Sequence, residues 1–340
     1  MVNSVTEIGW QEILEYSPAH QTKKQMASSF FRGDNCNFNP YKKDFESDEF
    51  LETFLLKGWL PGKPFINKNT RLTAFGSCFA AHLTNYLSRA GYSLSLKRDS
   101  DIYISSMGEG LVNVHALLQQ FEWALEDKAP PQNLWHGFRA EAFGYDEQVK
   151  QRTRRVFLQT DVFVITLGLS EVWFDEETDG IFWRAVPTRF YDPSRHKFRV
   201  CSFNETKQCI ARICELIFKH VPDAKILFTL SPIPLAATFR PVSCLTANSV
   251  SKSILRSALD EFYRDNPELL NEKLFYFPSY EIITELFPNK YKGDNRHPHD
   301  DIVGFITNLF EAVYCESPST IRDVNSVFQQ TRADNVNSFR

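Results

Sequence analysis

Short, continuously apolar runs alternate along this chain with stretches whose apolar residues recur at helical spacing. DVFVITL at 161–167, KILFTL at 225–230 and LFYF at 274–277 are β-branched and aromatic throughout, the pattern of strands buried on both faces. An earlier run in RLTAFGSCFAAHLTNYLSRA, residues 71–90, stops at Gly76-Ser77-Cys78 and turns at once into a helical stripe of Phe79, Ala80, Leu83, Tyr86, Leu87 and Ala90. Helices are predicted over about 113–126, 148–159, 203–220 and 249–265, with a short one over 47–57 capped by Ser47. YSLSLKR and DIYISSMGEG alternate and predict an extended segment ending at Gly108 and Gly110, while PPQNLWHGF reads as a loop. The prolines of SPIPLAATFRP forbid its continuing the ladder of the strand before it. Strands alternating with helices predict an α/β fold, a mostly parallel sheet with helices on both faces. Residues 1–68, punctuated by Asn, Pro and Gly, are expected as an N-terminal arm or cap, 69–316 as the main domain, and the polar stretch 317–340 as a loosely held tail.

In a parallel sheet the loops at the carboxyl ends of the strands gather on one rim, which would bring Ser77, Gly110, Gly168 and Ser231 together. Ser77 has two possible fates there. It can be the N-cap of the helix that follows, or a hydroxyl held among free backbone N–H groups for chemistry, and the local pattern serves both. Gly76 lets the chain turn beside it without a Cβ.

Composition narrows the class. The 340 residues are 43% hydrophobic with a net charge of −4, which suits a soluble globular protein and argues against nucleic acid as the main partner. No apolar run approaches the roughly 18 residues of a membrane helix, and residues 1–21 lack a basic start followed by an apolar run, so the expected compartment is cytoplasmic. The seven cysteines include no CxxC pair and fit reduced, buried thiols. No cofactor motif is visible.

A nucleophilic serine needs a base and a group to orient that base. KYKGDNRHPHDD at 290–301 supplies Asp294 three residues before His297, a spacing that lets the carboxylate fold onto the imidazole. A solvated turn is the plain alternative, and His299 is the main competitor of His297. A metal site of Asp294, His297, His299, Asp300 and Asp301 ranks lower, because HPHDD follows a polar loop and not an apolar strand. His82, His115, His136, His196 and His220 have no carboxylate at telling spacing. Cys78 reads as a small buried hydrophobe. Trp173, Trp183 and Phe190 are candidates for a substrate groove or for core. Arg184, Arg189 and Arg195, in a loop-like stretch with His196, are candidates for holding an anion or for plain surface.

FGSCFA at 75–80 resembles the signature of the GSCFA-domain family, a branch of the SGNH or GDSL hydrolase superfamily. TLGLSEVW at 166–173, TLSPIPLAAT at 229–238, SKSILR at 251–256 and YFPSYE at 276–281 resemble that family's internal blocks, in order. The resemblance implies a three-layer α/β/α fold with Ser77 as nucleophile, His297 as general base and Asp294 as its orienter. It implies an oxyanion hole from the N–H groups of Ser77 and Gly110. The superfamily's GxND block departs to Gly168-Leu169-Ser170-Glu171 here, so the amide donor's place passes to the Ser170 hydroxyl or to Asn113. Gly168, Glu171 and Trp173 are the expected substrate contacts, and no metal or other cofactor is expected.

Three functions follow from that resemblance. The first is a serine esterase acting on an O-acyl ester, expected on a carbohydrate. The second is an O-acyltransferase carrying an acyl group from a coenzyme A donor to a sugar hydroxyl in polysaccharide biosynthesis. The third is a carbohydrate-binding module that keeps the fold without catalysis, against which the retained Ser77, Asp294 and His297 count.

Overall fold

The computed structural model describes residues 9–16, 21–28, 37–95, 102–106, 111–135, 142–143 and 146–339. The chain divides after Glu46 into two compact units, so residues 47–68, expected as part of the arm, belong to the larger one. The smaller unit contains an antiparallel hairpin, β1 (Gly9–Tyr16) and β2 (Gln21–Ser28), with Gly9 opposite Ser28 and Tyr16 opposite Gln21.

The larger unit runs through β3 (Leu72–Phe75), α1 (Cys78–Arg89), α2 (Tyr103–Ser106), α3 (Val114–Glu126), β4 (Leu134–Trp135), β5 (Ala142–Phe143), α4 (Glu147–Leu158) and β6 (Val162–Leu167). It continues with β7 (Glu171–Asp175), β8 (Gly180–Ile181), β9 (His196–Val200), α5 (Phe203–His220), β10 (Lys225–Leu230) and α6 (Cys244–Asp265). β11 (Leu274–Phe277), α7 (Ser279–Leu286), α8 (Asp300–Tyr314) and α9 (Ile321–Phe339) complete it.

β3, β6, β10 and β11 form one parallel sheet in the order β11-β10-β6-β3, the expected α/β fold. Their side chains alternate between two helical layers, as the strand period requires. Phe163, Ile165 and Leu167 of β6 join Ile226, Phe228 and Leu230 of β10 in one core with α3, α5 and α6. On the opposite face Phe277 of β11 stacks on Phe79 of α1 and meets Phe310 of α8 edge-on. The result is a three-layer α/β/α sandwich.

After α1 the chain does not return to β6. Ser93–Ser95 pairs with the outer edge of β3, through Leu72 N to Ser93 O at 3.1 Å and Ser95 N to Leu72 O at 2.8 Å. With that bridge the spatial order follows a 2-1-3-4-5 pattern, and the direction of winding reverses between β3 and β6. Open α/β sheets bind their ligands at such a reversal.

Three expectations are corrected. Residues 103–106 are one helical turn and not an extended segment, although Ile102 and Ile104 are both buried in the same core, at the two-residue spacing that reads as a strand. The loop-like stretch 184–195 is irregular apart from one tight turn, Thr188–Phe190, and leads into β9, which pairs with β7, while β8 pairs with the other edge of β7. The short helix expected over 47–57 narrows to a π-helical turn, Leu51–Leu55. The tail is α9, held by Val324 and Phe328 one turn apart on a single face. Phe328 lies against Phe50, Phe287 and Phe305 at 5.2–6.0 Å.

Candidate active site

Ser77 is placed by two glycine-dependent contacts at the reversal. Gly76 adopts φ +126°, and a Cβ there would stand 2.1 Å from the Thr166 carbonyl oxygen of β6. Gly168, just past β6, packs so closely on residue 112 that a Cβ would lie 2.7 Å from Val112 Cβ. The turn after β3 therefore meets β6, and the loop after β6 meets the segment before α3, at backbone distance. Ser77 caps α1, accepting a 3.2 Å hydrogen bond from Phe79 N, and is 4% exposed. Capping uses the hydroxyl only as an acceptor, so its proton remains free to be given away.

Ser77 opens on a cavity of about 450 Å³, also lined by Cys78, Val112, Asn113, Gly168, Glu171, Ser231 and Arg296. Ser77, Gly168 and Ser231 thus meet as the sheet geometry requires. Gly110 lies outside the described residues, as do Gly108 and His136. One wall of the cavity is aromatic. Trp173 meets Phe239 at 4.9 Å and Phe198 at 5.6 Å, with Trp183 alongside. Phe190 is instead stacked on Trp135 at 5.5 Å.

The loop before α8 holds Asp294 and His297. His297 Nδ1 lies 2.5 Å from Asp294 Oδ2, and Asp294 Oδ1 accepts from the backbone N–H groups of Arg296 and His297 at 3.0 Å. The ring hydrogen bond first, then the two N–H groups, hold the Asp294 carboxyl well below the usual carboxylate range. The three-residue spacing read from sequence does close as a turn. Arg296 carries this loop to the cavity. Ser77 Oγ and His297 share no hydrogen bond, and of this loop Arg296, but neither Asp294 nor His297, is among the residues that line the cavity.

The other oxyanion candidates are placed differently. Ser170 is fully buried, its Oγ has no hydrogen-bond partner, and it is not among the residues lining the cavity. Its backbone N–H donates to Ser251 Oγ at 2.9 Å instead. Asn113 reaches the cavity, but it caps α3 through Oδ1 and its amide donates to Trp183 O at 3.0 Å. Glu171 lines the cavity and accepts from Thr238 Oγ1 at 3.0 Å, tying β7 to the loop after β10. Arg184 lines the cavity; Arg195 pairs with Asp175, and Arg189 covers the Phe190 ring.

Sequence reading missed Lys252. It stands in the buried stripe of α6 with Ala247, Ser251, Leu255 and Leu259, and a lysine in such a stripe was the available signal. Its ammonium donates to Gly168 O and Ser231 O, both at 2.7 Å, joining the loops after β6 and β10. Burial, and after it the charge of Arg296, push the ammonium down to about 7. One turn on, Arg256 bonds Glu281 Oε1 at 2.7 Å, and the Tyr276 hydroxyl donates to the same carboxylate. The blocks at 166–173, 229–238, 251–256 and 276–281 are therefore linked in space by hydrogen bonds.

His115 also gains an unforeseen partner, Glu205 Oε1 at 2.7 Å, ninety residues away. Burial alone would raise the Glu205 carboxyl, but hydrogen bonds from His115 and Arg199 outweigh it and hold it low. His115, Cys201 and Glu205 bring ligand atoms within 4.8 Å of one another. Arg199 bonds both Glu205 oxygens and occupies the place of a cation, while burial pushes the Cys201 thiol up to about 12. This donor set suits an ion-pair network better than a metal. Among the described residues the side chains of 294–301 form no metal-ligand group: Asp300 pairs with Lys292 at 2.6 Å, and His299 Nε2 is buried without a partner.

None of the six cysteines among the described residues is in a disulfide, and none of the described helices is long and apolar enough to cross a membrane. No curated protein matches the sequence. Among solved structures, the salicylyl-acyltransferase SsfX3 from a tetracycline biosynthetic pathway matches with a TM-score of 0.30 and 8% identity. That match covers 82% of this chain but only 56% of the other. The GSCFA family profile matches residues 71–310, most of the chain, and the protein belongs to the GSCFA family.

Proposed function

We propose that this protein is a serine-dependent acyl-transfer enzyme of the SGNH type, cleaving an O-acyl ester, on a carbohydrate, through an acyl-enzyme on Ser77. The observation that carries this reading is the convergence on one cavity of the α1 N-terminal hydroxyl and the loop bearing the bonded Asp294 and His297 pair. Ser77 Oγ attacks the ester carbonyl as its proton passes to His297 Nε2. Asp294 holds Nδ1–H and stabilises the imidazolium. The oxyanion is stabilised by the Ser77 N–H and the first turn of α1, where backbone donors lack intrahelical partners, together with Gly110. Collapse expels the alkoxide, which takes the proton from His297. Water then repeats the sequence and frees Ser77.

The buried position of Ser77 behind an aromatic wall favours a second reading, in which an acceptor alcohol and not water takes the acyl group. Consumption of an acyl coenzyme A only in the presence of a sugar acceptor is the result that reading requires.

The test is labelling of wild type, Ser77→Ala and Cys78→Ala with a fluorophosphonate, which tags activated serines. Label is expected on wild type and Cys78→Ala and lost in Ser77→Ala. A folded wild type that takes no label would remove Ser77 from the role of nucleophile.

A further inference from the structure

Among the described residues two cations, Arg296 in the cavity lining and Lys252 buried near it, have no carboxylate to balance them. Lys252 is 2% exposed and spends its hydrogen bonds on two backbone carbonyls, Gly168 O and Ser231 O. Arg296 donates through Nε and Nη2 to Pro234 O at 3.3 Å and makes no ion pair among the described residues. The two charges oppose each other. A buried ammonium beside a guanidinium, both without an acid, is an unfavourable arrangement that an incoming anion would relieve. Among the described residues the charged side chains lining the cavity are Arg184, Arg296 and Glu171. Glu171 is engaged on the other side by Thr238, with Arg240 4.0 Å away.

We propose that Arg296, backed by Lys252, forms an anion subsite in the Ser77 cavity, so that the substrate carries a carboxylate or phosphate close to its reacting ester. Only the position of the anion relative to the ester rests on the reading of Ser77 as nucleophile. The guanidinium keeps Nη1 and one Nη2 proton for the ligand while its bond to Pro234 O fixes its plane. The aromatic wall of Trp173, Phe198 and Phe239 takes the apolar part of the same molecule.

The experiment is calorimetric titration of the full chain with phenylphosphonate and, separately, with neutral benzyl alcohol, in wild type, Arg296→Gln, Arg296→Lys and Ser77→Ala. Phenylphosphonate is expected to bind wild type and Ser77→Ala alike, more weakly as salt is raised. Arg296→Gln should lose about 10- to 100-fold in that affinity and Arg296→Lys much less, with benzyl alcohol unchanged. In the same proteins the kcat/KM of mono-4-nitrophenyl succinate relative to 4-nitrophenyl butyrate should fall by a similar factor in Arg296→Gln. Titration with acetate and with inorganic phosphate then separates a carboxylate from a phosphate site. Phenylphosphonate binding that is no tighter than benzyl alcohol, or indifferent to both Arg296 variants, overturns the proposal. If neither ester is cleaved and Ser77 takes no label, while phenylphosphonate binding still depends on Arg296, the catalytic reading fails and the subsite stands.

Discussion

Lys252→Met isolates one buried charge in a way that pH can read. In the folded protein the ammonium is pushed down to about 7, against an ordinary value of 10.5. Between those two values the unfolded chain holds the proton and the folded one releases it. Stability therefore rises with pH across that window. The destabilisation from burying the charge is fully present below about 7 and is relieved as pH climbs toward 10. From pH 6 to pH 9 this relief amounts to about 2–3 kcal/mol, since each unit of separation is worth about 1.4 kcal/mol. Methionine has no such dependence. It also leaves Gly168 O and Ser231 O without their donor, an offset of about 1–3 kcal/mol each that does not vary with pH. Urea unfolding of both proteins at pH 6, 7, 8 and 9, followed by tryptophan fluorescence, should show wild type gaining on the variant by about 2–3 kcal/mol over the series. Parallel curves would refute the reasoning, because they would mean that the lysine titrates alike in the folded and unfolded chains.

Three further outcomes test the architecture. Gly76→Ala puts a Cβ 2.1 Å from Thr166 O at a φ of +126°, so the variant should lose several kcal/mol or fail to fold, seen as a lowered thermal midpoint. Asp294→Asn removes the charge that holds the His297 tautomer; kcat should fall by about 10²–10⁴-fold with the circular dichroism spectrum unchanged. Phe328→Ala empties a fully buried site against Phe50, Phe287 and Phe305, and should cost about 3–5 kcal/mol in urea unfolding and open α9 to hydrogen exchange.

The parts of this fold that could be read from the chain are those whose signal is local. β6, β10 and β11 are buried on both faces, so each is apolar throughout and is recognised without its neighbours. Helix α5 begins at a capping box, Ser202 with Glu205, and ends where its apolar stripe ends. Asp294 and His297 are three residues apart in a turn, so their contact is a property of the segment itself. The pieces that escaped have partners far away in sequence. β7 and β9 pair across an intervening loop, and half-buried strands lack the continuous apolar run. Helix α9 has only Val324 and Phe328 as apolar anchors in a polar stretch, and its docking depends on Phe50, nearly three hundred residues earlier.

The same division runs through the site. The sequence alone was sufficient for the strand, turn and helix around Ser77 and for the contact of Asp294 with His297, because backbone preferences and short spacings decide them. It also supplied the block at 251–256, but nothing of what that block does. Tertiary structure decided that Ser170 stays out of the cavity lining while Ser251 holds its backbone, that Lys252 ties two loops from inside the core, and that Arg296 faces the cavity without an acid among the described residues. Those outcomes depend on which loops the parallel sheet brings to one rim and on which charges are left there without partners. Neither is encoded at any single position, since burial and charge balance are properties of an assembled neighbourhood.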